Sequence, residues 1–320
     1  MKVGIVMDPI QNILPGHDSS LALLWEAEAR GWPTFYFEAS DLSLRDGQAY
    51  GQARPLKVFR DLKNWFAFEE PRPLALADLD LIFIRNDPPF DQNYLYLTLL
   101  LEVAEQAGVL VVNKPRGLRD CNEKLAIAHF PDCCPPTLVT HQIAQLKAFW
   151  QEQQDIVCKP LDVMGGQSVF RVQPEDVNAN VIFETLTARG ARAVMAQRYI
   201  PEIQAGDKRI MLINGEPLPF VLARVPQQGE WRGNVIAGAK PVVQPLTERD
   251  TWICRRLQPF LREKGLYFAG IDIIGDYLTE INVTSPSCIR ELDQLAKINI
   301  SGLLFDFLEK EIKRRRTTST

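Results

Sequence analysis

A chain of 320 residues exceeds what one compact core usually holds, so two or three structural units are expected. Its composition, 46% hydrophobic and 24% charged with 22 Pro and 19 Gly, is that of a folded protein and not of a disordered or fibrous one. A formal charge of −4 offers no basic field for a nucleic-acid backbone, and no apolar run reaches membrane-spanning length, so neither partner is expected and a small charged substrate fits better.

The first unit is expected over 1–120, as strands and helices alternating around a parallel sheet. An apolar run at 3–7 is the first strand. No secretory apolar stretch or cleavage site precedes it, which points to a reducing, cytoplasmic home. Asp18-Ser19-Ser20 starts a helix whose Leu21, Leu24 and Trp25 fall at helical spacing, and Gly31 stops it. Strands follow at 34–37, 81–84 and 109–112, with a helix at 92–106 before Gly108. The turn after the first strand is Asp8-Pro9-Ile10, so the sheet lacks the glycine-rich cradle of a dinucleotide fold. Arg85 ends a predicted parallel strand at its C-terminus, where open α/β sheets bind ligands, and is a candidate substrate contact.

Asn113-Lys114-Pro115 breaks this pattern, and a helix beginning near Cys121 opens a second unit over 121–200. There a helix at 141–153, strands at 156–159, 168–172 and 193–198, and a helix at 176–188 alternate in short order. The third unit, 201–320, holds a hairpin turned by Asn214-Gly215. Residues 226–240 are polar, glycine-bearing and aperiodic, which in so long a loop means either disorder or a functional lid. A helix at 248–264, two strands within 267–283 and an amphipathic helix at 302–314 complete the chain. The six cysteines include no CxxC pair and only three histidines are present, which argues against a structural zinc. Adjacent Cys133 and Cys134 read as small buried residues, since neighbours strain a disulfide.

The candidate chemistry concentrates in 270–282. Glu280 and Asn282 are two apart and share a strand face; a three-residue loop at Gly275-Asp276-Tyr277 would set Asp272 opposite Glu280 on that face. Three oxygen donors without Cys or His suit a hard cation such as Mg²⁺, although a solvated strand face with incidental acids has the same pattern. Opposed like charges repel unless a cation lies between them, which favours the metal. In a second stretch, Gly165 and Gly166 sit between two strands and can offer backbone N–H groups to phosphate, with Lys159 adding charge; alone, this reads equally as a simple turn. Lys124, Arg209, Arg224 and Arg232 are further cations for a carboxylate- or phosphate-bearing substrate, though each singly is a common surface charge. His17, His129 and His141 make no nucleophile–base arrangement and read as surface or capping residues.

The string from Lys159 through Met164-Gly165-Gly166 to Ser168, Gly206-Asp207-Lys208-Arg209, Arg232-Gly233-Asn234, and the stretch from Asp272 through Thr279-Glu280-Ile281-Asn282 to Pro286 resemble those of ATP-grasp ligases. With Asp87-Pro88-Pro89-Phe90-Asp91 and Asp120-Cys121-Asn122-Glu123-Lys124, the resemblance extends over nearly the whole chain to the bacterial glutathione synthetase family. It implies an α/β ATP-grasp fold with an N-terminal parallel-sheet domain, the substrate-side unit, and ATP between the second and third units. By this resemblance Lys124 and Lys159 would contact the ATP phosphates and Met164, Gly165, Gly166 and Ser168 would form the ATP loop. Gln197, Tyr199 and Ile200 would line the adenine pocket, and Asp207 would reach the ribose. Asp272, Glu280 and Asn282 would hold Mg²⁺, with Mn²⁺ able to replace it; Arg209 and Arg232 would serve catalysis, and Arg85, Arg224, Asn234 and Arg290 substrate binding. The implied reaction is the second step of glutathione biosynthesis, ATP-driven ligation of γ-glutamylcysteine to glycine through an acyl phosphate, in a homo-oligomer. Val163 stands where glycine is usual, Ala239 and Lys240 end a usually more glycine-rich lid, and Asn86 replaces a common lysine. The ATP and metal residues alone would equally suit a D-alanine–D-alanine ligase or a ligase adding amino acids to a peptide, whereas Asp272, Glu280, Asn282, Arg209 and Arg232 argue against an ATP-binding regulatory module of this fold that has lost turnover.

Overall fold

The computed structural model describes residues 1–318 apart from Gln228, Trp231 and 234–237. Three sheets follow one another along the chain. The first contains β1 (Val3–Met7), β2 (Thr34–Phe37), β3 (Leu42–Arg45), β4 (Gln48–Val58), β5 (Phe66–Phe68), β6 (Arg72–Ala75), β7 (Leu81–Arg85) and β8 (Leu110–Val112). Its centre, in the order β2-β1-β7-β8, is parallel, and every residue of those four strands is buried, which is why they read as unbroken apolar runs. Crossover helices α1 (Ser19–Ala29) and α2 (Gln92–Gln106) each start on an aspartate cap. Asp18 accepts from the Leu21 N–H at 2.6 Å and Asp91 from that of Tyr94 at 2.9 Å.

No element is predicted above for 42–75, where β3, β4, β5 and β6 extend the sheet antiparallel beyond β2. β4 does alternate, with Ala49, Gly51, Ala53, Leu56 and Val58 buried, but its inward residues are mostly too small to register as hydrophobic. The break at 113–115 also differs from expectation. Pro115 opens α3 (Pro115–Asp120), a position where its missing N–H leaves nothing unbonded. In place of the helix expected from Cys121 there is a turn, in which Asn122 Oδ1 accepts from the N–H groups of Lys124 and Leu125 at 3.1 and 2.9 Å, followed by a short 3-10 helix, Leu125–His129.

The second sheet, β9 (Thr137–Thr140), β10 (Ile156–Pro160), β11 (Phe170–Val172) and β12 (Val194–Arg198), is antiparallel in the order β11-β10-β12-β9. Helices α4 (Ile143–Gln153) and α5 (Ala179–Leu186) cover it through Leu146, Phe183 and Leu186. The third sheet holds β13 (Asp207–Ile213), β14 (Glu216–Val225), β15 (Lys240–Pro245), β16 (Phe268–Ile274) and β17 (Tyr277–Asn282) in the order β15-β14-β13-β16-β17. Asn214 and Gly215, both at positive φ, make the two-residue turn expected between β13 and β14. Helix α6 (Glu248–Lys264) packs on this sheet, bounded by a Thr247/Asp250 capping box and by Gly265 in the left-handed conformation.

After the third sheet, α7 (Ile289–Ala296) and α8 (Ile300–Thr318) return to the first. Phe305 stacks between Phe83 and Trp32 with ring centroids 5.5 and 5.4 Å away, and Arg30 donates to Asp306 at 2.7 Å. The end of the chain thus completes the core begun by Val3, Ile5 and Leu24. Asn113 joins the same two parts from inside: its amide donates to the carbonyls of Phe268 and Val283 at 2.7 Å and accepts from the Phe268 N–H at 2.9 Å. These contacts hold the end of β8 against the start of β16 and the end of β17.

Candidate active site

A cleft of about 770 Å³ is lined from all three sheets, with Arg85 and Asp87 from the first, Lys159 and Gln197 from the second, and Asp207, Asp272 and Glu280 from the third. In its floor, β16 and β17 set Asp272 opposite Glu280 and Gly270 opposite Asn282. The hairpin reaches this register by a route other than the expected three-residue loop. Ile274 pairs with Tyr277 across a two-residue turn, and a bulge at Thr279 supplies the extra residue. One residue more in the loop or one more in the strand shifts the pairing equally, so the acids meet either way.

Asp272 is 4% exposed, and both its oxygens are engaged. Arg209 donates to them at 2.5 and 2.9 Å, Arg224 Nη2 lies 3.0 Å from Oδ2, and the Asn282 amide donates to Oδ2 at 3.3 Å. Burial alone would raise its pKa, but the two guanidiniums hold it well below the usual carboxylate range. Glu280 lies 2.9 Å from Lys124 Nζ, which also donates to the Val163 carbonyl at 2.6 Å. Lys159 Nζ donates to the Thr279 carbonyl at 3.2 Å; burial lowers its pKa while Glu280 opposes the shift. Among the described residues no three His, Cys, Asp or Glu side chains gather into an all-protein metal cage. Two carboxylates and an amide oxygen are nonetheless the hard, incomplete donor set of a Mg²⁺ that finishes its shell on phosphates and water, so the residues fit that ion.

Over this floor hangs the glycine loop. Met164, Gly165 and Gly166 line the cleft, with the two glycines at φ +69° and +72°, a conformation in which their N–H groups can turn toward one ligand. Val163 is not among the positive-φ positions, so a β-branched residue is tolerated there. Ser168, at φ +53°, does not line the cleft, whereas its neighbours Gln167 and Val169 do. Arg232 reaches across from the 226–240 stretch, donating to the Gly166 carbonyl at 3.1 Å and to Glu230 from its Nε and Nη2 at 3.0 and 2.7 Å. Asn234 lies outside the described residues. Gln197, Tyr199 and Ile200 form a neighbouring wall, and Arg171 lies over the Tyr199 ring at 3.5 Å. Asp207 contributes Oδ2 to Arg224 at 2.6 Å, and its buried Oδ1 has no partner among the described residues.

Arg85 lines the cleft from the end of β7, as its strand position predicts. Arg290 does not. It donates to the Pro15 carbonyl at 2.7 Å and lies over the Trp25 ring at 4.3 Å, because the first turn of α7 aims it away from the opening. Two lining residues escape the sequence reading. Glu123 accepts at one oxygen from the N–H groups of Val283 and Thr284 and from the Thr284 hydroxyl, all within 2.9 Å, a clamp across 160 residues that no local pattern announces. His17, read above as a surface or capping residue, has Nδ1 2.8 Å from Glu291 Oε1, and both residues face the cleft. The ring of His129 packs on Phe260 at 5.2 Å.

Residues 1–119 match the model of the prokaryotic glutathione synthetase N-terminal domain, and 123–297 that of the prokaryotic glutathione synthetase ATP-grasp domain. The chain is 54% identical over 316 residues to the glutathione synthetase of Pseudomonas syringae pv. tomato, covering 99% of each. It is 53% identical over 315 residues to that of Escherichia coli, covering 98% of this chain and 100% of the other. Its fold is shared with D-cycloserine synthetase DcsG, at a TM-score of 0.68 and 14% identity over 98% of this chain and 100% of that one. It is shared also with the ATP-grasp ligase PsnB complexed with its minimal precursor, at a TM-score of 0.66 and 18% identity over 97% and 98%.

Proposed function

The chain belongs to the prokaryotic glutathione synthetase family and is an ATP-dependent ligase, and from that premise we propose how its cleft joins γ-glutamylcysteine to glycine. Lys124, Lys159 and the backbone of 164–167 take the ATP phosphates; Gln197, Tyr199 and Ile200 take the adenine, and the unpartnered Asp207 Oδ1 takes a ribose hydroxyl. Asp272, Glu280 and Asn282 would hold Mg²⁺ or Mn²⁺, which when bound neutralises charge on the phosphates. Lys124 is then released from Glu280 to a phosphate, exchanging one anion for another.

The cysteinyl carboxylate oxygen bonds to the γ-phosphorus of ATP, and ADP leaves with the electrons of the broken P–O bond. Glycine, having lost its ammonium proton to water, attacks the acyl carbon through nitrogen; the C–O bond breaks, phosphate departs with its electrons, and the nitrogen passes its second proton to that phosphate. Both steps gather anions, so Arg209 and Arg224, already held in place by Asp272, act by fixed positive charge and no histidine base is required. Arg232 joins them with the lid, and Arg85, Arg224 and Asn234 contact substrate. An acyl phosphate is open to hydrolysis, so residues 226–240 serve to exclude water. In this reading residues 1–120 form the substrate-side unit, 121–200 and 201–320 enclose ATP, and the enzyme works as a cytoplasmic homo-oligomer, which sedimentation of the purified protein tests.

The observation that carries the proposal is the pairing of Asp272 opposite Glu280, within reach of Lys124 and below the glycine loop. The test is ADP release by the purified protein with ATP, Mg²⁺ and γ-glutamylcysteine, with glycine or D-alanine as acceptor. Release with glycine and formation of the tripeptide support it; release with D-alanine alone, or nucleotide binding without any ADP, would refute it.

A further inference from the structure

Phosphoryl transfer in this cleft depends on one spacing, that between the glycine loop and the oxygen donors of β17 below it. The two sit in different units, and among the described residues no strand of the second sheet pairs with one of the third. Side chains that cross the gap must therefore set the spacing.

Three consecutive residues cross it. Asn122, in the turn after α3, donates from Nδ2 to the Leu161 carbonyl at 3.0 Å, at the root of the glycine loop. Its Oδ1 meanwhile closes the turn on the N–H groups of Lys124 and Leu125. Glu123 faces the other way. Its backbone carbonyl accepts from the Ile281 N–H at 2.9 Å. Its Oε1 accepts from the N–H groups of Val283 and Thr284 at 2.8 and 2.9 Å and from the Thr284 hydroxyl at 2.8 Å. These bonds grip β17 on either side of Asn282, one of the proposed metal donors. Lys124 touches both parts, with Nζ 2.9 Å from Glu280 and donating to the Val163 carbonyl at 2.6 Å.

Lys124 gives up Glu280 when a phosphate arrives, so it cannot keep the spacing through the reaction. Asn122 and Glu123 bind only backbone and a hydroxyl, and no ligand has to displace them. All three donors to Glu123 Oε1 are uncharged; they require an acceptor oxygen at the right reach, which an amide supplies as well as a carboxylate. We infer that Asn122 and Glu123 are positioning residues for phosphoryl transfer, a clasp that sets the glycine loop over Glu280 and Asn282 through the length of the Glu123 side chain and not through its charge. The inference rests on the function proposed above.

Two substitutions separate reach from charge. Glu123→Asp keeps the charge and shortens the side chain by one carbon–carbon bond, about 1.5 Å; Glu123→Gln keeps the reach and removes the charge. In ADP-release assays with glycine and saturating Mg²⁺ and ATP, Glu123→Asp should lower kcat about 100-fold, the scale of a misplacement of about 1 Å. Its KM for γ-glutamylcysteine should change less than about threefold, and Glu123→Gln should stay within about fivefold of wild type in both constants. Asn122→Asp keeps the acceptor of the turn but loses the donor to Leu161, and should lower kcat about tenfold. The two links act in series, so Asn122→Asp combined with Glu123→Asp should be less than about threefold slower than Glu123→Asp alone, where independent sites would multiply to about 1,000-fold. Calorimetric titration with ADP, with and without Mg²⁺, reads the spacing without turnover. The gain in ADP affinity that Mg²⁺ confers should shrink about tenfold in Glu123→Asp and persist in Glu123→Gln.

A merely structural role would lower Tm and leave kcat and the Mg²⁺ gain in place. That result, equal losses in Glu123→Asp and Glu123→Gln, or multiplied losses in the double variant overturn the inference. Should Glu123→Asp fail to unfold cooperatively on heating, the other two variants decide: a 100-fold loss in Glu123→Gln, or wild-type kcat in Asn122→Asp, refutes. Absence of any wild-type turnover with γ-glutamylcysteine and glycine would instead sink the functional proposal itself.

Discussion

Asp272 and Glu280 are proposed to share one ion, yet their protein surroundings differ, and this separates two substitutions that metal binding alone would make alike. Asp272→Asn removes the carboxylate paired with Arg209 and one of the two paired with Arg224, which keeps Asp207, at a site 4% exposed. Leaving buried charges uncompensated costs about 3–5 kcal/mol. An unfolding entropy of about 2.1 cal/mol/K per residue, over a chain of 320 residues, gives about 0.7 kcal/mol/K, so Tm should fall by about 4–7 °C. Glu280→Gln breaks one pair, with Lys124, at a side chain 22% exposed, and Lys124 keeps its bond to Val163. About 1 kcal/mol is then lost, and Tm should drop by only about 1–2 °C. Both variants should lose about 100-fold or more in Mg²⁺-dependent turnover, the scale of removing one charge-stabilising group. Calorimetry of the two variants beside ADP-release assays across a Mg²⁺ titration checks this. Normal turnover in Glu280→Gln would discard the ligand assignment, and equal Tm shifts would refute the reading of Asp272 as the anchor of both arginines.

Arg232→Ala should slow ligation about 100-fold while ATP affinity, measured by calorimetric titration, changes little; a large affinity loss would move this residue to the nucleotide site. Phe305→Ala empties the space between Phe83 and Trp32 and should cost about 3–5 kcal/mol, lowering Tm by about 4–7 °C although the residue lies on the final helix. All six cysteines are free, and burial pushes the Cys121, Cys158 and Cys254 thiols up to about 12. Those three should resist iodoacetamide at pH 7 until denaturant is added, and rapid native labelling of any of them would show that its burial is transient.

Much of this protein was legible in its residues because the signals are local. Caps, apolar periods and an Asn-Gly turn act over a few positions, so α1, α2, α6, the buried parallel strands and the hairpin of β13 and β14 followed from them. Strand periodicity likewise put Glu280 and Asn282 on one face, and the register with Asp272 followed from counting, even though a bulge supplies the residue expected in the loop. What remained hidden is long-range or made of small side chains. Ala49, Gly51 and Ala53 gave β4 no hydrophobic contrast, and α8 shows no sign in its own sequence that it must cover β7. Arg85 and Glu291 are ordinary charges 206 positions apart in the chain. Only the packing of α1 and α7 at the end of β7 buries both and leaves Arg85 Nη1 and Glu291 Oε2 without a partner among the described residues, because desolvation is a property of the assembled surroundings and not of the residue.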